Sequence, residues 1–465
     1  MDSKKLSKFS FFSMTASLFI TVYEYPTFAD SGKSLIFFLI VCGLLWFLPV
    51  ALCSAEMASI DGYDKGGIYS WVGDNLGDKF GFTAIFFQWF QVTVGFVTMI
   101  YFIIGTLSTV LNVPELNNNA LLKFSCVVVI FWVITLLQFR GTGLTSQLAK
   151  YGFSLGIIAP VLIMFGFFIK YLLSGQPVST NFTKPSFVPN GNSLAALTSF
   201  VLAYMGVEAS APHINDLENS KKNYPLIMLV LVVVGMALST IGGSIVSVVL
   251  QGKINSDTGV VDALRVLISS GHNSFLVILL SFLVSFGVIA QVASWIVSPT
   301  EGLQYVATKG LLPQKYAKKN KFGVPTNLLI LQGIVVTFWA AVLTFGSRKS
   351  GGNVSFETAI SLTVLIYLSA YVLFFISYFV IIYRKKGLKR SYNVPGGLAG
   401  KTIVAACGLL ISVAAIVTAF IIPDSLSKSA GHTYIMLLIV SFIVTLIIPL
   451  AFYKFYGEKH KIVEE

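Results

Sequence analysis

"TASLFITVYEYPTFADSG", residues 15–32, begins as an ordinary apolar helix and then stops being one. Small and apolar residues run to Val22, and Tyr23, Glu24, Tyr25 and Pro26 follow in a row. Proline has no backbone N–H and collides with the carbonyl four residues back, so a helix is expected to break here. A carboxylate in the middle of a membrane helix costs roughly 2.5–3.5 kcal/mol on insertion scales and is usually kept for function. Irregular backbone at that depth survives only where protein covers it or where it lines a cavity. The stretch therefore predicts an interrupted membrane helix beside a cavity, with Tyr23, Glu24 and Tyr25 as candidate binding residues.

The rest of the chain fits a membrane setting. Of its 465 residues 55% are hydrophobic and only 11% charged, with a mean hydropathy of +0.81. Runs of about 20 apolar residues mark spans, and they fall near 8–30, 34–56, 81–112, 121–139, 146–173, 193–218, 224–250, 274–304, 325–346, 355–383, 402–422 and 432–455. No segment between them is long enough to fold alone. The N-terminus lacks the short apolar core and small-residue cleavage site of a signal peptide, so the first helix is expected to stay. The formal charge of +12 raises nucleic acid as a partner, but the charges sit in the loops. Alternate loops hold 23 of the 32 Lys and Arg residues. By the positive-inside rule this predicts a multi-pass cell-membrane protein with both termini cytoplasmic and no nucleic-acid role. Cys42, Cys53, Cys126 and Cys407, and the scattered His213, His272, His432 and His460, have no spacing that implies a disulfide or a metal site.

A second break is expected in the sixth span, "LTSFVLAYMGVEASAPHINDL", around Gly206 and Glu208, with Tyr204 just ahead of it. The two breaks lie five spans apart and at similar depth. Units of five helices entering from opposite sides are the pattern of an inverted-repeat transporter, whose paired discontinuous helices form the substrate site near the midplane. The predicted fold is an all-α integral membrane protein of about 12 transmembrane helices, a LeuT-like 5+5 inverted repeat plus two extra helices. Residues 1–400 form the transport core, and 401–465 hold helices 11 and 12 and a short tail. The plainer alternative is that Pro26 and Gly206 merely kink two helices.

Breaks free backbone groups. The amides of a downstream half-helix can hold a carboxylate, while freed carbonyls and acidic side chains can hold an ammonium. Glu24 and Glu208 therefore favour a substrate with an amine end; their bland reading is as acceptors for exposed backbone. On helix 8, Gln291 and Trp295 lie one turn apart on one face. Trp295 is a candidate gate or cation platform, or simple packing. Glu301 follows about 15 Å further along, in the expected cytoplasmic vestibule, where a lone charge is often only solvated. Tyr367 and Tyr371 lie four apart on helix 10, as pocket phenols or interface filler. The stretch "AEMASIDGYDKGGIYSWVGDNLG" after helix 2 has two glycines suited to tight turns and no P-loop spacing, so ATP drive has no support. No cofactor, metal or catalytic constellation is expected, and the chain is not read as an enzyme.

These residues together resemble the amino acid–polyamine–organocation superfamily, and within it the bacterial glutamate:GABA antiporter family. The stretch from Ala55 to Gly77 is similar to the superfamily signature. The closer likeness lies in "TVYEYPTFA", "YMGVEASAPHINDLEN", "ASWIVSPTEGL", "LTVLIYLSAY" and the basic "LKRSYNVPGG". The resemblance covers nearly the whole chain. It implies exchange of an amino acid or amine for its decarboxylated or deiminated product, with Tyr23, Glu24, Glu208, Trp295, Tyr367 and Tyr371 at the matching site positions. Against the family pattern, Gln291 replaces a glutamate and Glu301 an arginine, and only about ten residues follow helix 12, which argues against gating by a tail. The change at Glu301 disfavours an anionic substrate. The expected activity is thus an antiporter of a cationic amine couple such as agmatine:putrescine, with glutamate:GABA exchange as the alternative. A channel would need a continuous polar pore, and a sensor would need a signalling domain. Expected partners are small amino acids or amines and the lipid bilayer, with a homodimer allowed.

Overall fold

The first helix breaks before Pro26 rather than at it. In the computed structural model, which describes residues 6–63, 66–183, 186–189, 194, 196–252, 254–346, 352–423 and 426–460, helix α1 runs Lys8–Phe19 and α2 runs Tyr25–Ala29. Pro26 sits in the first turn of α2, where its missing N–H would have had no helical partner anyway. The break is the non-helical stretch between the two helices, residues 20–24. Lys4, Lys5, Lys65, Lys184, Lys253, Arg348, Lys349 and Lys461 of the charge count, and the side chain of His213, lie outside the described residues.

Ten long apolar helices are described: α3 (Ser34–Ala58), α5 (Asp78–Val110), α6 (Ala120–Gln138), α7 (Gln147–Leu173), α9 (Ser220–Val249), α11 (Phe275–Thr308), α12 (Thr326–Gly346), α13 (Glu357–Arg384), α14 (Gly397–Thr418) and α15 (Lys428–His460). Shorter ones are α4 (Ile68–Leu76), α8 (Leu197–Leu202) and α10 (Gly259–Ser269). No strand occurs among the described residues, only two isolated bridges. The protein is an all-α, multi-pass membrane protein. Its second interrupted helix is also present: α8 ends at Leu202, Gly206 takes φ +109°, and a 3-10 helix runs Val207–Asp216.

The layering follows from hydrophobicity without amphipathy. Helix α5 is buried over 94% of its apolar window, against 22% for α14 and 17% for α15, so α5 is the core and the last two helices form the rim. A helix apolar on all sides belongs either in a core or in lipid. Helix α5 packs against α13, α11 and α4, which places it behind both breaks.

At one end of the bundle, Glu56 of α3 gathers the basic loop that follows α13. Its Oε1 accepts from Arg390 Nη1 (2.5 Å) and Lys401 Nζ (2.6 Å); its Oε2 accepts from Val394 N (2.8 Å) and the Tyr378 hydroxyl (2.9 Å). Gly66 and Gly67, at φ +83° and +54°, then turn the chain into α4, whose Trp71 indole donates to the Tyr63 carbonyl. The "AEMAS" signature and the "LKRSYNVPGG" loop are thus two halves of one lock. Glu56→Ala leaves two cations without their buried acceptor, a change worth about 3–5 kcal/mol. A thermal melt in detergent should show a drop of several degrees, and an unchanged melting temperature would mean the lock carries no stability.

Candidate functional site

The two breaks meet at Trp295. Gly206 lies so close that a Cβ there would sit 2.6 Å from Trp295 Cζ2 and 3.8 Å from the Leu18 carbonyl. The Trp295 indole donates to that carbonyl at 2.7 Å, and the ring stands edge-on to Tyr367 at 6.4 Å. Beside them lies a cavity of about 30 Å³, lined among others by Thr21, Tyr23 and Glu24 from the first break, Gln91 and Thr98 from α5, Trp295, and Thr363 and Tyr367 from α13. At roughly 10–15 Å³ per water, such a space holds water but not an amino acid. Loading an amino acid here therefore requires lining groups such as Trp295 to move.

The two carboxylates differ. Glu24 is 1% exposed and its Oε2 has no hydrogen-bond partner among the described residues; the hydroxyls of Thr98 and Thr363 on the same cavity are likewise unpartnered. Leaving that carboxylate oxygen buried without a partner is costly, which makes it a ready acceptor for an ammonium. Glu208 stands one layer back and is fully engaged. The Tyr367 hydroxyl donates to Oε1 and the Tyr371 hydroxyl to Oε2, and Gln88 Nε2 donates to Oε1 at 3.1 Å. The Gly206 N–H donates to the Tyr371 oxygen at 3.2 Å, and Trp46 stands edge-on against the Tyr371 ring at 4.8 Å. Glu208 thus ties the 3-10 helix to α13 and α5.

Of the eleven candidate residues, Tyr23, Glu24, Trp295 and Tyr367 line the cavity. Glu208, Tyr371, Gly206 and Gln291 form its immediate backing. Tyr25 points the other way, its ring filling the space above Gly242 on α9, where a Cβ would lie 2.1 Å from Tyr25 Cε2. Tyr204 stacks on Phe47 at 4.8 Å and donates to the Leu39 carbonyl, bracing α3. Glu301 is partly exposed and does not line the cavity. Sequence reasoning passed over α5 entirely. The signal was present as Gln88, Gln91, Gly95 and Thr98, polar or small residues at helical spacing in an otherwise apolar helix.

Fold and site together define a membrane transporter built around two interrupted helices. The profile of the amino acid permease family matches residues 6–443, and the chain belongs to that family. It is 50% identical to a glutamate/γ-aminobutyrate antiporter of Lactococcus lactis subsp. lactis and 51% identical to one of Lactococcus lactis subsp. cremoris. Each comparison covers 100% of this chain and 93% of the relative. An uncharacterized transporter of Legionella pneumophila is 28% identical over 98% of both chains. The two Lactococcus relatives favour the glutamate:GABA alternative over the cationic amine couple.

Proposed function

We propose that the chain exchanges glutamate for γ-aminobutyrate across the cell membrane, independently of ATP. Both termini are cytoplasmic in this reading, and the two interrupted helices count as spans, giving twelve in a 5+5 inverted repeat plus two. The cavity carries the proposal: it presents one buried carboxylate with an oxygen left unpartnered and, among its described lining residues, no basic side chain. Both substrates offer an ammonium to Glu24. The glutamate side chain meets no cation there, so glutamate binds with that carboxyl protonated. The names of the two Lactococcus relatives support the couple. The agmatine:putrescine reading rests on Glu301, which stands outside the cavity.

The test is counterflow. Purified protein in GABA-loaded liposomes should take up labelled glutamate, while empty liposomes should not. Equal uptake into empty vesicles overturns exchange. Agmatine uptake against internal putrescine that exceeds glutamate uptake against GABA overturns the couple.

In this scheme Glu208 holds the site in shape. Glu208→Ala strands two phenols and an amide in the interior, each unmet group costing about 1–3 kcal/mol. Exchange per inserted molecule should fall by about 30-fold or more, while Glu208→Gln, which still accepts at one oxygen, should lose roughly 10-fold or less. Equal losses in the two variants would show that charge, not hydrogen bonding, is what Glu208 supplies.

A further inference from the structure

The Leu18 carbonyl is held twice. Leu18 lies in the last turn of α1, where carbonyls run out of helical partners. The Trp295 indole donates to it at 2.7 Å and the Gln291 amide at 3.3 Å. Gln291 precedes Trp295 by one helical turn, so both donors reach the same point. Gln291 is 1% exposed, and its Oε1 has no hydrogen-bond partner among the described residues. An amide buried in an apolar helix with half its polar atoms unmet is poor packing. What it does supply is an N–H aimed at the carbonyl that the gate tryptophan also grips.

We propose that Gln291 is a positioning residue that, with Trp295, latches α11 onto the broken end of α1 and keeps the tryptophan closed over the cavity at any pH. An amide keeps its N–H donors at every pH, whereas a carboxylate in its place donates only when protonated. The latch itself does not depend on which amino acid is carried; its importance for transport rests on the cavity being the substrate site. Elements packed around this part of α11 also bring titratable or charged groups. They are Tyr23 and Glu24 at the first break, Glu208 at the second, Lys150 and Tyr151 on α7, and Tyr367 on α13. All are shared by wild type and by variants at position 291, so a difference between their pH responses belongs to that position.

The readout is the emission of Trp295, isolated from the other five of the chain's 6 tryptophans by subtracting the spectrum of the matching Trp295→Phe protein. No substrate is needed. The wild-type difference spectrum at pH 4.5 and pH 9 records the response of the shared groups and is the reference at each pH. Gln291→Glu should match wild type at pH 4.5 and change in intensity by about 2-fold, with a shifted maximum, at pH 9. Gln291→Leu, which has no donor, should show the shifted spectrum at both. A Gln291→Glu spectrum that follows wild type at both pH values overturns the latch, as does a Gln291→Leu spectrum identical to wild type. If Gln291→Glu does not fold, the Gln291→Leu comparison alone decides. A correct emission pattern in a protein that fails glutamate counterflow removes the proposed couple and leaves the latch standing.

Discussion

Glutamate uptake into GABA-loaded liposomes should fall about 60-fold as the external pH rises from 4.5 to 6.5. No basic side chain stands among the described residues lining the cavity. A glutamate side-chain carboxylate placed beside Glu24 would set two like charges together in a buried space, which costs several kcal/mol at low effective dielectric. Only the protonated form enters, and with a side-chain pKa near 4.3 its fraction falls by about 60-fold over those two pH units. Glutamine has the same shape and no charge to lose, so its uptake should change by less than about 3-fold. Protonation of Glu24 would act in the opposite direction, weakening the hold on the ammonium of both substrates at low pH, so the ratio of the two uptakes isolates the substrate's own titration. Glutamate uptake as flat as that of glutamine would mean that a cation reaches the cavity, and the assigned polarity of the site would be wrong.

How far the site could be read in advance depended on whether its signal was local. Pro26 and Glu24 announce their break in one dimension, because a proline and a carboxylate inside an apolar run need no neighbour to be conspicuous. Gly206 and Glu208 do so for the same reason. Orientation within a break is another matter. Tyr23, Glu24 and Tyr25 are consecutive, yet the first two line the cavity while Tyr25 packs over Gly242. Once the helix stops, no period predicts which way a side chain turns, and all three look alike. The engagement of Glu208 by Tyr367, Tyr371 and Gln88 spans more than a hundred residues in sequence and is fixed only by packing. Helix α5 stayed hidden because its apolar residues surround it on all sides. Against that background four polar or small positions resemble noise until α11 and α13 are placed beside them.

Gly206→Ala should abolish most exchange, by about 100-fold, although it adds a single methyl group. At φ +109° the backbone is in a region that L-residues avoid, at a cost of roughly 1–2 kcal/mol. The new Cβ would also lie 2.6 Å from Trp295 Cζ2 and 2.9 Å from Cη2. The indole cannot simply yield, because its N–H is bonded to the Leu18 carbonyl. Either that bond breaks or the 3-10 helix shifts, and a shift carries Glu208 away from Tyr367 and Tyr371. Both routes disturb the closed cavity. In a Trp295→Ala background Gly206→Ala meets no clash and keeps only the backbone strain, so there it should lower the melting temperature in detergent by less than it does in wild type, while exchange stays lost. Two measurements, a thermal melt and glutamate counterflow, separate the two contributions. A Gly206→Ala protein that exchanges within about 3-fold of wild type would show that the breaks can part without cost, and that the contact between Gly206 and Trp295 is not what closes the site.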